Sequence, residues 1–117
     1  MLLREISEIL QADSIGDFED TDKDIEMAYA SDLMSDVLTF VKSGSLLLTG
    51  LTNPQVIRTA EMAEIVVVCF VNGKKPQQET IELAREKNIP LLATKLFMYE
   101  CCGRLHKKDL SGVDDSK

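Results

Sequence analysis

The stretch VNGKKPQQETIELAREKNIPLLATK, residues 71–95, decides how this chain folds. It opens on the last residue of EIVVVCFV (64–71), where β-branched and apolar residues fill consecutive positions, as in a strand buried on both faces. Gly73 breaks that strand and Pro76 opens a helix, because the N–H that proline lacks would be unpaired in a first turn anyway. In this helix Ile81, Leu83 and Ala84 turn inward while Glu79, Glu82, Arg85, Glu86 and Lys87 face water. Asn88 stops it. IPLLAT (89–94) is then a second buried strand, with Pro90 near its start, where a missing ladder donor is best tolerated. Strand, turn, helix and strand in this order make a βαβ unit, which calls for a parallel sheet with right-handed crossovers.

The same grammar extends upstream. SLLLTG (45–50) is a short continuous apolar run closed by Thr49-Gly50, and Asn53 caps a helix that starts at Pro54 and reaches about residue 62. IEMAYA (25–30) reads as a strand; Ser31 or Asp32 caps a helix with Leu33, Met34, Val37, Leu38 and Val41 on one face, ended by Gly44. Leu2, Leu3, Ile6, Ile9 and Leu10 repeat at helical spacing over 2–11. The acidic stretch ADSIGDFEDTDKD is a loop with a short strand around Ile15, and its spacing over Asp17 to Asp24 fits no calcium loop. KLFMYECCGRLHKK is a C-terminal helix with Leu96, Phe97, Tyr99, Cys101 and Leu105 as its apolar positions, weakened by Gly103. The expected fold is a single α/β domain over 1–108, with a mainly parallel four- to five-stranded sheet flanked by helices. Residues 109–117 are expected as a disordered tail.

Composition narrows the function. With 117 residues, 44% hydrophobic and 28% charged, the chain is an ordinary globular one. No apolar run is long enough to span a membrane, and the first residues lack a signal peptide's pattern, so it reads as cytoplasmic. Residues 1–42 hold eleven acidic side chains against three basic ones, whereas 43–108 hold nine basic against six acidic. An acidic first third and few aromatics argue against nucleic-acid binding. The asymmetry reads either as a solvated acidic face or as a basis for contacts between copies. Cys101 and Cys102 are adjacent, a poor arrangement for a structural disulfide, and Cys69 lies in an apolar run. One histidine, His106, and no metal-ligand spacing leave no metal site and imply no cofactor.

In an open parallel sheet, ligands collect at the carboxyl ends of the strands. The segments expected there supply Ser31, Thr49, Gly50, Thr52, Asn53, Asn72, Gly73, Lys74, Lys75, Thr94 and Lys95 as candidate ligand-binding residues. Hydroxyls, amides and lysines suit a small anionic or phosphorylated ligand. Neither phosphate-cradling glycine motif occurs, and Asn72-Gly73 is also a favoured turn dipeptide followed by two solvated lysines, which is the heavier of its two readings. Ser31, Thr49, Thr94, Cys101 and Cys102 are possible nucleophiles, but nothing brings the one histidine to any of them, so no catalytic residue is assigned.

From Leu46 to Leu105 the order of elements resembles the DRTGG domain, and the likeness covers roughly residues 1–106. Gly73, Pro76, Ala84, Ile89, Pro90 and Thr94 are the matching positions, within a Gly-x-x-Pro, helix, strand and Thr pattern. Where that family carries Gly-Asp-Arg this chain has Gly50-Leu51-Thr52, and Val71-Asn72-Gly73 stands in place of Thr-Gly-Gly. The resemblance implies a small α/β module, non-catalytic and regulatory, often a homodimer, with no established ligand. Taken together, the sequence favours a regulatory or sensory module that self-associates and takes a small anionic metabolite or a protein partner. The alternative is a small enzyme acting on a phosphorylated metabolite at the same edge.

Overall fold

The computed structural model describes residues 1–16 and 22–115. Residues 17–21 of the acidic loop lie outside these residues. A six-stranded sheet of order β1-β5-β4-β3-β2-β6 forms the middle layer, one strand more than the sequence pattern anticipates at most. Its centre is the four parallel strands β2 (Met27–Ala30), β3 (Ser45–Thr49), β4 (Val67–Phe70) and β5 (Leu91–Ala93). The edges are short pieces: β1 (Asp13–Ile15), the strand expected around Ile15, runs antiparallel to β5, and β6 (Ser111–Gly112), which was not expected, runs parallel to β2. β6 is too short to show a strand period in the sequence.

Each step from β2 to β5 moves one place along the sheet in the same direction. Right-handed crossovers that keep one direction put every connecting helix on one face. Accordingly α2 (Met34–Phe40), α3 (Gln55–Met62) and α4 (Gln78–Glu86) pack side by side, while α1 (Leu3–Ile9) and α5 (Met98–Lys107) share the opposite face. The alternation of β-strand side chains divides the core to match. Leu46, Leu48, Val67, Cys69, Val71 and Leu92 meet Leu3, Ile6, Leu10, Cys101 and Leu105 on the α1–α5 face. Leu47, Val68, Phe70 and Leu91 meet Val37, Val56, Ile57, Ala60 and Ala84 on the other. Each large side chain buried here contributes about 1.5–3 kcal/mol, so the β3–β4 pair anchors the domain.

Several expectations are corrected at the ends of elements. Leu33 and Leu38, assigned to the inward stripe of α2, are exposed, as is Phe40, because a seven-residue helix turns only Val37 fully under. The helix after Pro76 begins two residues later, at Gln78. Phe97 and Tyr99 are not core positions of α5; they are 68% and 90% exposed. The tail expected over 109–117 keeps to the fold through Leu110, which is buried, and then through β6 against Met27 and Ala28. With only two helices on the α1–α5 face, the β2 side of that face is left open as a cleft of about 850 Å³ along α5.

Candidate functional site

Because β2 to β5 are parallel and in register from Ala30 to Ala93, their carboxyl ends open on one edge of the sheet. All the candidate residues lie in the four segments that leave that edge. What the structure adds is how their polar atoms are used.

At the β2–β3 end the Asp32 carboxylate is the hub. One of its oxygens accepts the Thr49 hydroxyl at 3.0 Å and the Gly50 N–H at 2.6 Å. The Thr49 oxygen in turn accepts the Leu51 N–H at 3.2 Å. A side chain at residue 50 would stand 3.3 Å from the Asn72 amide nitrogen and 3.5 Å from both Asp32 oxygens, so glycine permits this close approach. Ser31 is used locally, its oxygen accepting the Leu33 N–H at 3.0 Å. Asn53 accepts the Gln55 N–H at 3.1 Å just ahead of α3, whose N-cap is Pro54 rather than the expected Asn53. The Thr52 carbonyl takes the Thr80 hydroxyl at 2.7 Å and the Gln77 N–H at 3.1 Å, tying this loop to the start of α4.

At the β4–β5 end the connection is a tight turn. Asn72 and Gly73 both have positive φ, 66° and 71°, and the Lys74 N–H returns to the Val71 carbonyl at 3.2 Å. Two consecutive left-handed residues make a primed turn, for which Asn-Gly is the favoured pair. The turn is stitched to the segment after β5: the Asn72 N–H donates to the Leu96 carbonyl at 2.8 Å, and the Gly73 N–H to the Thr94 carbonyl at 3.0 Å. The Met98 N–H donates to Asn72 Oδ1 at 3.2 Å, which fixes the start of α5. Thr94, only 4% exposed, donates to the Leu10 carbonyl at 2.6 Å and accepts the Leu96 N–H at 3.1 Å. Lys74, Lys75 and Lys95 are exposed, and none makes an ion pair among the described residues.

The candidates thus divide in two. Ser31, Thr49, Gly50, Thr52, Asn53, Asn72, Gly73 and Thr94 hold the edge together, whereas the three lysines face outward from it. Asp32 belongs to the site although it reads in the sequence as a helix cap; only strand register shows that it faces Thr49 and Gly50. Phe97 and Tyr99, at the start of α5, are exposed, and Tyr99 lines the cleft beside β2, which their apolar character concealed.

The chemistry of the remaining reactive groups is muted. Cys102 and His106 stand one helical turn apart on α5 and both line the cleft beside β2. Burial raises the Cys102 thiol pKa, raises that of Cys101 to about 11 and raises that of Cys69 further, so these thiols stay protonated near neutrality. Among the described residues no group of three or more His, Cys, Asp or Glu side chains is placed to hold a metal ion, and no helix is long and apolar enough to cross a membrane.

No family model and no curated protein matches the sequence. The fold does have a solved counterpart: the CBS and DRTGG domains of the regulatory region of Clostridium perfringens pyrophosphatase, complexed with the activator diadenosine tetraphosphate. The two superpose with a TM-score of 0.68 at 16% sequence identity, over 89% of this chain and 45% of that one. The present chain therefore spans less than half of its counterpart, and what the two share is the fold.

Proposed function

We propose that this chain is a non-catalytic regulatory or sensory module of the DRTGG type, which binds a small anionic ligand at the carboxyl edge of its sheet and self-associates. The observation that carries the reading is the edge itself. It gathers three outward lysines on a backbone pinned by Asp32, Asn72 and Thr94, with no set of acid, base and nucleophile beside them among the described residues. A rigid, charged rim without reacting groups suits recognition better than turnover. The fold likeness to a regulatory region solved with a nucleotide activator supports the same reading.

Thermal shift against a panel of phosphorylated metabolites and nucleotides tests it, together with the mass of the chain in solution as a function of concentration. Stabilisation by a ligand that is recovered unchanged is the expected result. Turnover of a phosphorylated metabolite, abolished on changing Thr49, Lys74 or Thr94, would instead establish the enzyme alternative. A concentration-dependent mass with no response to any small molecule would leave only an association module.

A further inference from the structure

Charge is segregated along the strand edge. Its β2–β3 end carries the Asp32 carboxylate, which already takes the Gly50 N–H and the Thr49 hydroxyl that an incoming anion would need. A second anion there meets a like charge and finds those donors occupied. The β4–β5 end carries Lys74, Lys75 and Lys95. Hydrogen bonds from Asn72 to Leu96, from Gly73 to Thr94 and from Met98 to Asn72 hold the two lysine-bearing segments side by side.

The same stitching fixes the backbone of an aromatic residue two positions after Lys95. Phe97 lies between Leu96 and Met98, both pinned to Asn72, yet its ring is 68% exposed; Tyr99, two residues on, is 90% exposed. Rings held in water on a fixed backbone lower no energy in the isolated chain. No atom outside its own neighbours comes within 4 Å of where a Gly73 side chain would begin, so the approach to the turn is open.

We propose that the β4–β5 end of the edge binds a nucleoside polyphosphate, with Phe97 stacking on the base and Lys74, Lys75 and Lys95 holding the phosphates. This rests on the ligand-binding reading above and narrows it to one half of the edge and one chemical class. Every nucleobase offers a π-face to an exposed aromatic ring, and lysines act as movable point charges along a phosphate chain. A ligand lacking either part uses only half of the site.

Isothermal titration calorimetry of the full chain with ATP, tripolyphosphate and adenosine tests the assignment. ATP is expected to bind at least about tenfold more tightly than either fragment. Phe97→Ala is expected to lower ATP affinity to the tripolyphosphate level while leaving tripolyphosphate unchanged, and Phe97→Leu, which keeps apolar bulk, to show the same loss. Lys74→Ala with Lys75→Ala is expected to weaken ATP and tripolyphosphate alike, by about tenfold. Equal affinity for ATP and tripolyphosphate, or full ATP binding by Phe97→Ala, overturns the nucleotide assignment while the anion-binding reading stands. A ring-free phosphorylated metabolite that binds where ATP does not has the same effect. Absence of binding across the whole panel removes both readings together.

Discussion

At the β2–β3 end of the strand edge an acid, Asp32, gathers a hydroxyl and an N–H, whereas at the β4–β5 end neutral Asn72 and Thr94 do the same pinning. On the proposed reading the first arrangement closes the edge to anions, because the charge that binds the donors also repels a competitor. The second leaves the charge of three lysines unspent. A strand edge with the right geometry for ligands is therefore not uniformly a site: which side chain satisfies the backbone decides which half stays available.

That contrast can be broken experimentally, beginning with the residue that matters most to the fold. Thr94→Val strips both hydrogen bonds from a buried hydroxyl and leaves the Leu10 carbonyl and Leu96 N–H without it; a cost of about 2 kcal/mol is expected in urea unfolding. A loss under about 0.5 kcal/mol would mean that water already serves these groups. Asp32→Ala should cost about 1–2 kcal/mol, and Asp32→Asn less, since an amide oxygen still accepts from Gly50. If both variants unfold like the parent chain, the closed end is not held by its acid.

Gly73→Ala comes next. The position is spacious but its φ of 71° disfavours a side chain, so about 1 kcal/mol should be lost through the backbone alone. Smallest is the double change Lys74→Ala and Lys75→Ala, expected within about 0.5 kcal/mol of the parent chain because both side chains are solvated. If it lowers self-association as much as ligand binding, the open end is an interface between copies.

The sequence made the central framework legible because the parallel strands are continuous apolar runs, and because Gly73, Pro76 and Pro54 punctuate them at positions where only a few residues serve. It also located the edge, since parallel topology sends every candidate segment to the same side. It did not separate pinning groups from outward ones. Thr94 and Thr49 look in sequence like any strand-end hydroxyls, and their partners lie 84 and 17 residues away. Asp32 reads as a cap for α2 until strand register puts it against Gly50. Phe97 and Tyr99 carry the apolar signature of core positions, but α5 starts only at Met98 and directs Cys101 and Leu105 inward. Of the two edge strands, β1 is the short strand read around Ile15, whereas β6 was hidden by brevity, because no period can be read from its two residues.

Those two residues matter beyond their length. The β2 strand would otherwise be the last of a parallel row, with its outer N–H and C=O groups facing solvent beside the open cleft, and such a row is a template for another chain to add to. The Ser111–Gly112 pairing with Met27 and Ala28 covers part of it. Shortening the chain to end at Asp109 also removes buried Leu110, and should yield a protein that still folds but precipitates or forms thioflavin-positive assemblies on concentration. On that outcome, a last strand of this size would act less as support for the core than as a guard on the solubility of the whole sheet.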